Sequence, residues 1–226
     1  MNAPRTARER ARAELTSEIT AAARRQLAEV GAAQLSLRAV ARELGMASSA
    51  VYRYFSSRDE LLTTLITDAY DAVGEALERA DGDALARGGT LRERWRAAAH
   101  ALRGWARAHP HEYALIHGSP VPGYAAPQET IAAASRAYAV LAGIAAEAPP
   151  GSGDLSETLA AQVHTIAEAI APAADPRALA RGLVAWTQLY GMVSFELFGQ
   201  FANSVDPADE FFAYAVETTG DLMGLL

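Results

Sequence analysis

Apolar residues recur three or four positions apart along most of this chain. Leu15, Ile19, Ala23, Leu27 and Val30 form one such stripe near the N-terminus, and Trp186, Leu189, Tyr190, Val193, Leu197 and Phe201 form another near the C-terminus. This period follows one face of an α-helix, and no β-branched or aromatic run alternates with period two for long enough to make a strand. The predicted fold is all-α. Breaks at Gly31, Gly45, 82–89, 119–127, 148–153, 171–176 and 203–207 divide the chain into about nine or ten helices. No fixed-period repeat is present.

Within the first eighty residues the segments are unequal: a long helix, two short ones, then a long one starting near Arg58. Ser36 can cap a helix with the apolar stripe Leu37, Val40, Ala41 and Leu44, and Gly45 falls where a left-handed residue ends it. The next helix, from Ser48 to Tyr54, turns Val51 and Phe55 inward and leaves Ser48, Ser49, Tyr52 and Arg53 outward. Ser57 with Glu60 three residues later is a capping box that starts the following helix at Arg58. Two short helices joined by a tight Gly turn have the geometry of helix-turn-helix DNA readers, and equally of an ordinary αα-hairpin. Side chains favour the first: small hydroxyls, a phenol and an Arg suit close approach to base edges and phosphates, whereas a plain solvated helix favours charge pairs.

Composition narrows the class. The 226 residues are 50% hydrophobic and 21% charged, enough for a core in one or two domains, which excludes disorder and fibre. No apolar run is long enough to cross a membrane and the N-terminus has no apolar signal region, so a cytoplasmic location is expected. With no cysteine, disulfides, thiol catalysis and thiolate metal sites are excluded. The net charge of −7 is uneven: residues 1–60 carry more Arg than acid, and the acidic excess lies in 61–226. No lysine occurs, so the arginines reflect coding bias as well as chemistry. Arg5, Arg8, Arg10 and Arg12 form either an arm for the minor groove or phosphates, or a solvated basic tail.

The run Leu37-Arg38-Ala39-Val40-Ala41-Arg42-Glu43-Leu44-Gly45-Met46-Ala47-Ser48-Ser49-Ala50-Val51-Tyr52-Arg53-Tyr54-Phe55-Ser56-Ser57-Arg58-Asp59-Glu60-Leu61-Leu62 closely resembles the TetR family of bacterial transcriptional regulators, in a match spanning Ile19 to Leu65. The resemblance implies an N-terminal three-helix helix-turn-helix DNA-binding domain at 1–57, a connecting helix at 58–81 and a larger helical effector-binding and dimerisation domain at 82–226. It implies that Ser48, Ser49, Tyr52, Arg53 and Tyr54 lie on or near the DNA-facing surface, with the Tyr52 hydroxyl on a phosphate. Tyr54 has packing against the first helix as a competing role. Ser36 and Arg38 match positions that touch the DNA backbone, and Arg58 matches the usual Lys. This sequence departs from the pattern at Ala47, where Ser or Thr usually caps the recognition helix, so capping is expected to shift to Ser48. Ser48 and Ser49 stand where Lys and Gly are frequent, so the operator cannot be carried over from other members.

The stretch Trp186-Thr187-Gln188-Leu189-Tyr190-Gly191-Met192-Val193-Ser194-Phe195-Glu196-Leu197-Phe198-Gly199 resembles the Trp-His-Gly type of C-terminal domain, with Tyr190 in place of His; His111 to Ile116 and Val121 to Tyr124 add to the likeness. The resemblance implies a double-stranded DNA operator, a small-molecule effector, a homodimer through helices 156–171 and 177–201, and no cofactor, metal or membrane partner. Candidate effector contacts are Trp95, Trp105, Tyr113, His117, Tyr124, Trp186 and Tyr190, although Trp95 sits in a stripe with Ala98, Ala99, Leu102, Trp105 and Ala106 that reads equally as core. The enzyme alternative is a helical bundle with a buried metal, based on five histidines and on His164 and Glu168 one turn apart. No Glu-x-x-His pair, His-Glu-x-x-His motif, nucleophile elbow or phosphate loop supports it. A DNA-binding dimer without an effector is the other alternative.

Overall fold

The computed structural model describes residues 6–151, 153–172 and 174–226; among them are ten α-helices, one 3-10 turn and no strand. They are α1 (Ala7–Val30), α2 (Leu37–Glu43), α3 (Ser48–Val51), α4 (Arg58–Ala86), α5 (Leu91–Ala108), α6 (Pro110–His117), α7 (Thr130–Ala146), α8 (Glu157–Ile170), α9 (Pro176–Leu197) and α10 (Asp209–Met223), with the 3-10 turn at Ala32–Gln34. The break expected at 82–89 falls late in that stretch, with α4 passing through Gly82 and ending at Ala86. Glycine costs a helix interior only about 1 kcal/mol, and buried Val73, Leu77 and Ala84 carry α4 on to Ala86. Pro110 opens α6, where a missing N–H is tolerated.

The chain forms two compact units that follow a line different from the sequence boundaries: Met1–Ala69 with His111–Thr130, and Tyr70–Pro110 with Ile131–Leu226. Arg5 of the basic arm lies outside the described residues. In the first unit, Ile19, Ala22, Ala23 and Leu27 of α1 share a core with Leu37 and Val40 of α2, Val51 and Phe55, and Leu61, Leu62 and Leu65 of α4. Leu115 and Tyr113 of α6 are also buried. Arg24 pairs with Asp68 at 2.6 Å and Arg25 with Glu43 at 2.6 Å, fastening α1 to α4 and α2.

The second unit is built on α5. Thr90 and Glu93 form a capping box at its start, satisfying two free backbone donors reciprocally. Trp95, Ala98, Ala99, Leu102, Trp105 and Ala106 are all buried, so this stripe is core. The Trp95 indole N–H donates to the Val216 carbonyl at 3.0 Å and to Thr219 Oγ1 at 3.2 Å, locking α5 to α10. The other faces of α5 hold their neighbours by charge. Buried Arg94 donates to Asp81 at 2.7 Å and Glu147 at 2.8 Å, and buried Arg103 to Glu196 at 2.6 Å and Asp209 at 2.9 Å. Arg92 and Arg96 both grip Glu217 on α10, and Arg92 also donates to the Leu225 carbonyl at 2.6 Å. Such pairs fix position as much as they add stability, because removing one partner strands a charge.

The Arg96 guanidinium, helped by Arg92, holds the Glu217 carboxyl down to about 2. A carboxyl whose native pKa lies below its unfolded value contributes stability that is present above the unfolded value and is lost as pH falls through the native one. Glu217→Gln is therefore expected to lower the Tm at neutral pH and to flatten its decline between pH 4.5 and about 2, as read by circular dichroism. Parallel Tm curves for the two proteins would show that the staple contributes nothing.

Candidate nucleic-acid interface and ligand cavity

The turn after α2 is fixed by Gly45. Its φ of +65° is open to glycine at little cost, and it lets the Met46 N–H donate to Ala41 at 2.8 Å and the Gly45 N–H to Arg42 at 3.2 Å. That turn delivers α3, which is shorter than its periodicity predicts: the helix ends at Val51, and the N–H groups of Arg53 and Tyr54 reach back only three residues, to Ala50 and Val51. Val51 and Phe55 are buried, while Ser49, Tyr52 and Arg53 are exposed and Ser48 and Tyr54 are half-buried.

Two expected caps are not made. Ser36 occupies the N-cap position of α2 with extended backbone, but its side chain makes no cap bond; its N–H donates to buried Gln26 at 3.4 Å. Ala47, not Ser48, is the N-cap of α3, again without a side-chain bond. At α4 the Ser57 hydroxyl accepts from the Glu60 N–H at 3.1 Å as expected. The Glu60 carboxylate, however, reaches one residue further back, accepting from the Ser56 N–H at 2.6 Å and hydroxyl at 2.7 Å. These Ser56 bonds depress the Glu60 pKa.

The cations of this unit fall into two groups. Arg58 is turned inward, donating to the carbonyls of Leu35 (3.1 Å), Ala32 (2.8 Å) and Ala33 (3.2 Å), so it ties the α1–α2 connection to the start of α4. The direct phosphate contact expected of Arg58 competes with this bonding. Arg12 lies 5.1 Å from the Tyr54 ring centroid, which gives Tyr54 a packing role on α1. Arg38, Arg42 and Arg53 are exposed, and among the described residues they enter no ion pair. Unpaired guanidinium groups beside an exposed phenol and hydroxyl suit a polyanion.

The seven candidate effector residues do not converge within either unit. Tyr113, His117 and Tyr124 belong to the first: Tyr113 and His117 are in ring contact at 4.9 Å, burial holds the His117 pKa down to about 4, and the Tyr124 hydroxyl lies 2.9 Å from Thr63 Oγ1. In the second, Trp95 and Trp105 are core, with Trp105 stacked on His109. Trp186 and Tyr190 do meet, joined by Tyr138 of α7, whose ring is 4.4 Å from Trp186 and 5.9 Å from Tyr190. Trp186 and Tyr138 wall a cavity of about 200 Å³ among α7, α8 and α9, with Leu141, Ala142, Ile166 and Leu183. Sequence reasoning missed Tyr138; its signal is a lone aromatic three and four residues before Leu141 and Ala142 on one helix face.

Outside the cavity, exposed apolar side chains gather on two helices, Val184 and Phe195 on α9 and Phe211, Tyr214 and Leu222 on α10, beside a groove of about 380 Å³. Among large exposed hydrophobic residues α8 contributes Leu159. His164 and Glu168 are 3.3 Å apart and well exposed, and among the described residues no three His, Cys, Asp or Glu are grouped to hold a metal ion. No described helix is long and apolar enough to cross a membrane.

Residues 19–65 match the family model described as bacterial regulatory proteins, tetR family, and residues 95–219 match that of the tetracyclin repressor-like C-terminal domain. The Trp-His-Gly subtype stays a resemblance. The chain is 40% identical over 214 residues to the HTH-type transcriptional regulator Rv1816 of Mycobacterium tuberculosis, covering 89% of each chain, and equally to Mb1846 of Mycobacterium bovis. Among solved structures it is similar to the protein SCO4313, at 37% identity, covering 96% of this chain and 98% of that one with a TM-score of 0.81.

Arg58→Ala removes three bonds to carbonyls and is expected to cost the first unit about 1–2 kcal/mol, with Arg58→Lys losing less. Urea unfolding measures this; unaltered stability would mean that the guanidinium clamps nothing.

Proposed function

Because this chain belongs to the tetR family of bacterial regulatory proteins, whose members are transcriptional regulators and not enzymes, we propose that it is a repressor that binds a palindromic operator as a homodimer and is released by a small-molecule effector. It would work in the cytoplasm, on the nucleoid when bound. The observation that carries the reading is the α2–α3 surface, where exposed Arg38, Arg42 and Arg53 enter no ion pair among the described residues and stand with exposed Ser49 and Tyr52. On DNA, Tyr52, Arg38 and Arg53 would take phosphates. Ser48 and Ser49 would face base edges, Ser36 would bring its hydroxyl to the backbone, and Tyr54 and Arg58 would hold the reading head from behind.

Two recognition helices must lie about 34–36 Å apart to enter successive major grooves, which requires a dimer. The exposed apolar residues favour α9 and α10 as the paired surface in place of 156–171 with 177–201. Release would act on α4. Arg136 of α7 donates to Asp71 at 2.7 Å and to Glu78 at 2.6 Å, and α7 sits so close that a Cβ at Gly74 would lie 2.7 Å from that of Arg136. α7 also walls the cavity, so a ligand that shifts α7 would carry α4 with it and change the presentation of the α3 pair.

An operator selected from random duplex DNA tests this reading. Arg53→Ala is expected to weaken binding on all sequences and make the salt slope shallower by about one. Tyr52→Phe should weaken binding several-fold regardless of sequence, and Ser49→Ala should alter base preference. Failure to select any sequence would refute the DNA-binding role.

Paired Phe195→Glu and Tyr214→Glu substitutions are expected to convert a dimer into a monomer in analytical ultracentrifugation, with operator affinity falling by at least about tenfold. A double variant that remains dimeric would move the interface elsewhere.

A further inference from the structure

The cavity among α7, α8 and α9 has a one-sided chemistry. Its walls are Leu141, Ala142, Ala145, Ile166, Ile170 and Leu179, with Gly182, Leu183, Tyr138 and Trp186; none carries a charge. The Tyr138 hydroxyl and the Trp186 indole N–H are the only polar side-chain groups among them. Helices α7 and α9 approach closely at its floor, where a Cβ on Gly182 would come within 2.5 Å of Ala145. We propose that this cavity selects an uncharged, largely hydrocarbon ligand carrying at most one hydrogen-bonding group. The proposal rests on the effector-responsive reading above and adds the ligand's chemical class.

Charge decides the matter. An ionised carboxylate or ammonium entering this space loses water and finds no counter-charge among the lining residues, whereas a single neutral hydroxyl or ether gives up far less on leaving water. Size follows from volume: an apolar cavity of about 150 Å³ holds benzene. About 200 Å³ therefore suits a two-ring aromatic or a chain of roughly six to eight carbons. The tilted Tyr138 and Trp186 rings, 4.4 Å apart, add aromatic surface to the walls that such a molecule would meet.

Calorimetric titration of the full-length protein without DNA, at pH 7, with two neutral and ionised pairs tests the class: 1-octanol against octanoate, and 2-naphthol against 2-naphthoate. The neutral member of at least one pair is expected to bind more than about tenfold tighter than its carboxylate. Ala142→Leu, which fills the space, should abolish that binding. Ile166→Ala, which enlarges it, should raise affinity for 1-decanol relative to 1-octanol and keeps the test decisive if Ala142→Leu does not fold. Carboxylates binding as tightly as their neutral partners, no binding by either pair, or affinities indifferent to the folded variants would overturn the proposal. Gel shifts with the selected operator separate the two readings. A neutral ligand that binds here without altering operator affinity leaves the ligand class standing and refutes release, while operator binding without any neutral ligand binding refutes the ligand class and leaves the DNA-binding role standing.

Discussion

A helix of four residues has no stability of its own, since nucleation consumes more conformational freedom than one turn of hydrogen bonds returns. α3 is such a helix, so where Ser49, Tyr52 and Arg53 point is decided by what lies beneath them. Val51 and Phe55 are sunk into the same core as Leu37, Val40, Leu61 and Leu62, and the Gly45 turn sets the angle at which the chain enters. On the other side, Arg58 fastens the start of α4 to the carbonyls between α1 and α2. The reading surface is thus rigid by its supports and not by its own backbone, and it carries no cap of its own because neither Ser36 nor Ala47 supplies one.

Arginine serves two opposite ends in this chain. In the second unit Arg92, Arg94, Arg96, Arg103 and Arg136 are each bound to acids on another helix, and their charge is consumed in holding the bundle. Among the described residues Arg38 and Arg42 on α2, and Arg53 just past α3, are left without an acid. The chain is acidic overall, yet among the described residues Arg38, Arg42 and Arg53 enter no ion pair on the surface proposed to meet a polyanion, which bulk charge conceals.

Local patterns made the first unit legible. The stripe of Leu37, Val40 and Ala41, the glycine at position 45 and the inward pair Val51 and Phe55 are all set by neighbours within a few residues. What depended on distant partners was not legible. Arg58 looked like a free cation because the carbonyls it binds lie more than twenty residues earlier, and Glu60 looked like half of a box with Ser57 although it also bonds Ser56. Trp95 and Trp105 could be core or pocket until the position of α10 was known; Tyr113, His117 and Tyr124 share aromatic character with Trp186 but not a compact unit. Tyr138 went unseen because an aromatic in an alanine-rich helix announces no partner.

Continuity of α4 has a consequence for how the molecule comes apart. The first of the three points where the chain passes from one compact unit to the other falls between Ala69 and Tyr70, inside an unbroken helix that buries Leu62 and Leu65 on one side of it and Val73 and Leu77 on the other. Severing the chain there would leave each piece with a frayed stub, its apolar stripe wetted and too short to stay wound. The two units are therefore not interchangeable modules: a chimera that swaps one reading head for another must choose its junction outside this helix or replace the helix whole.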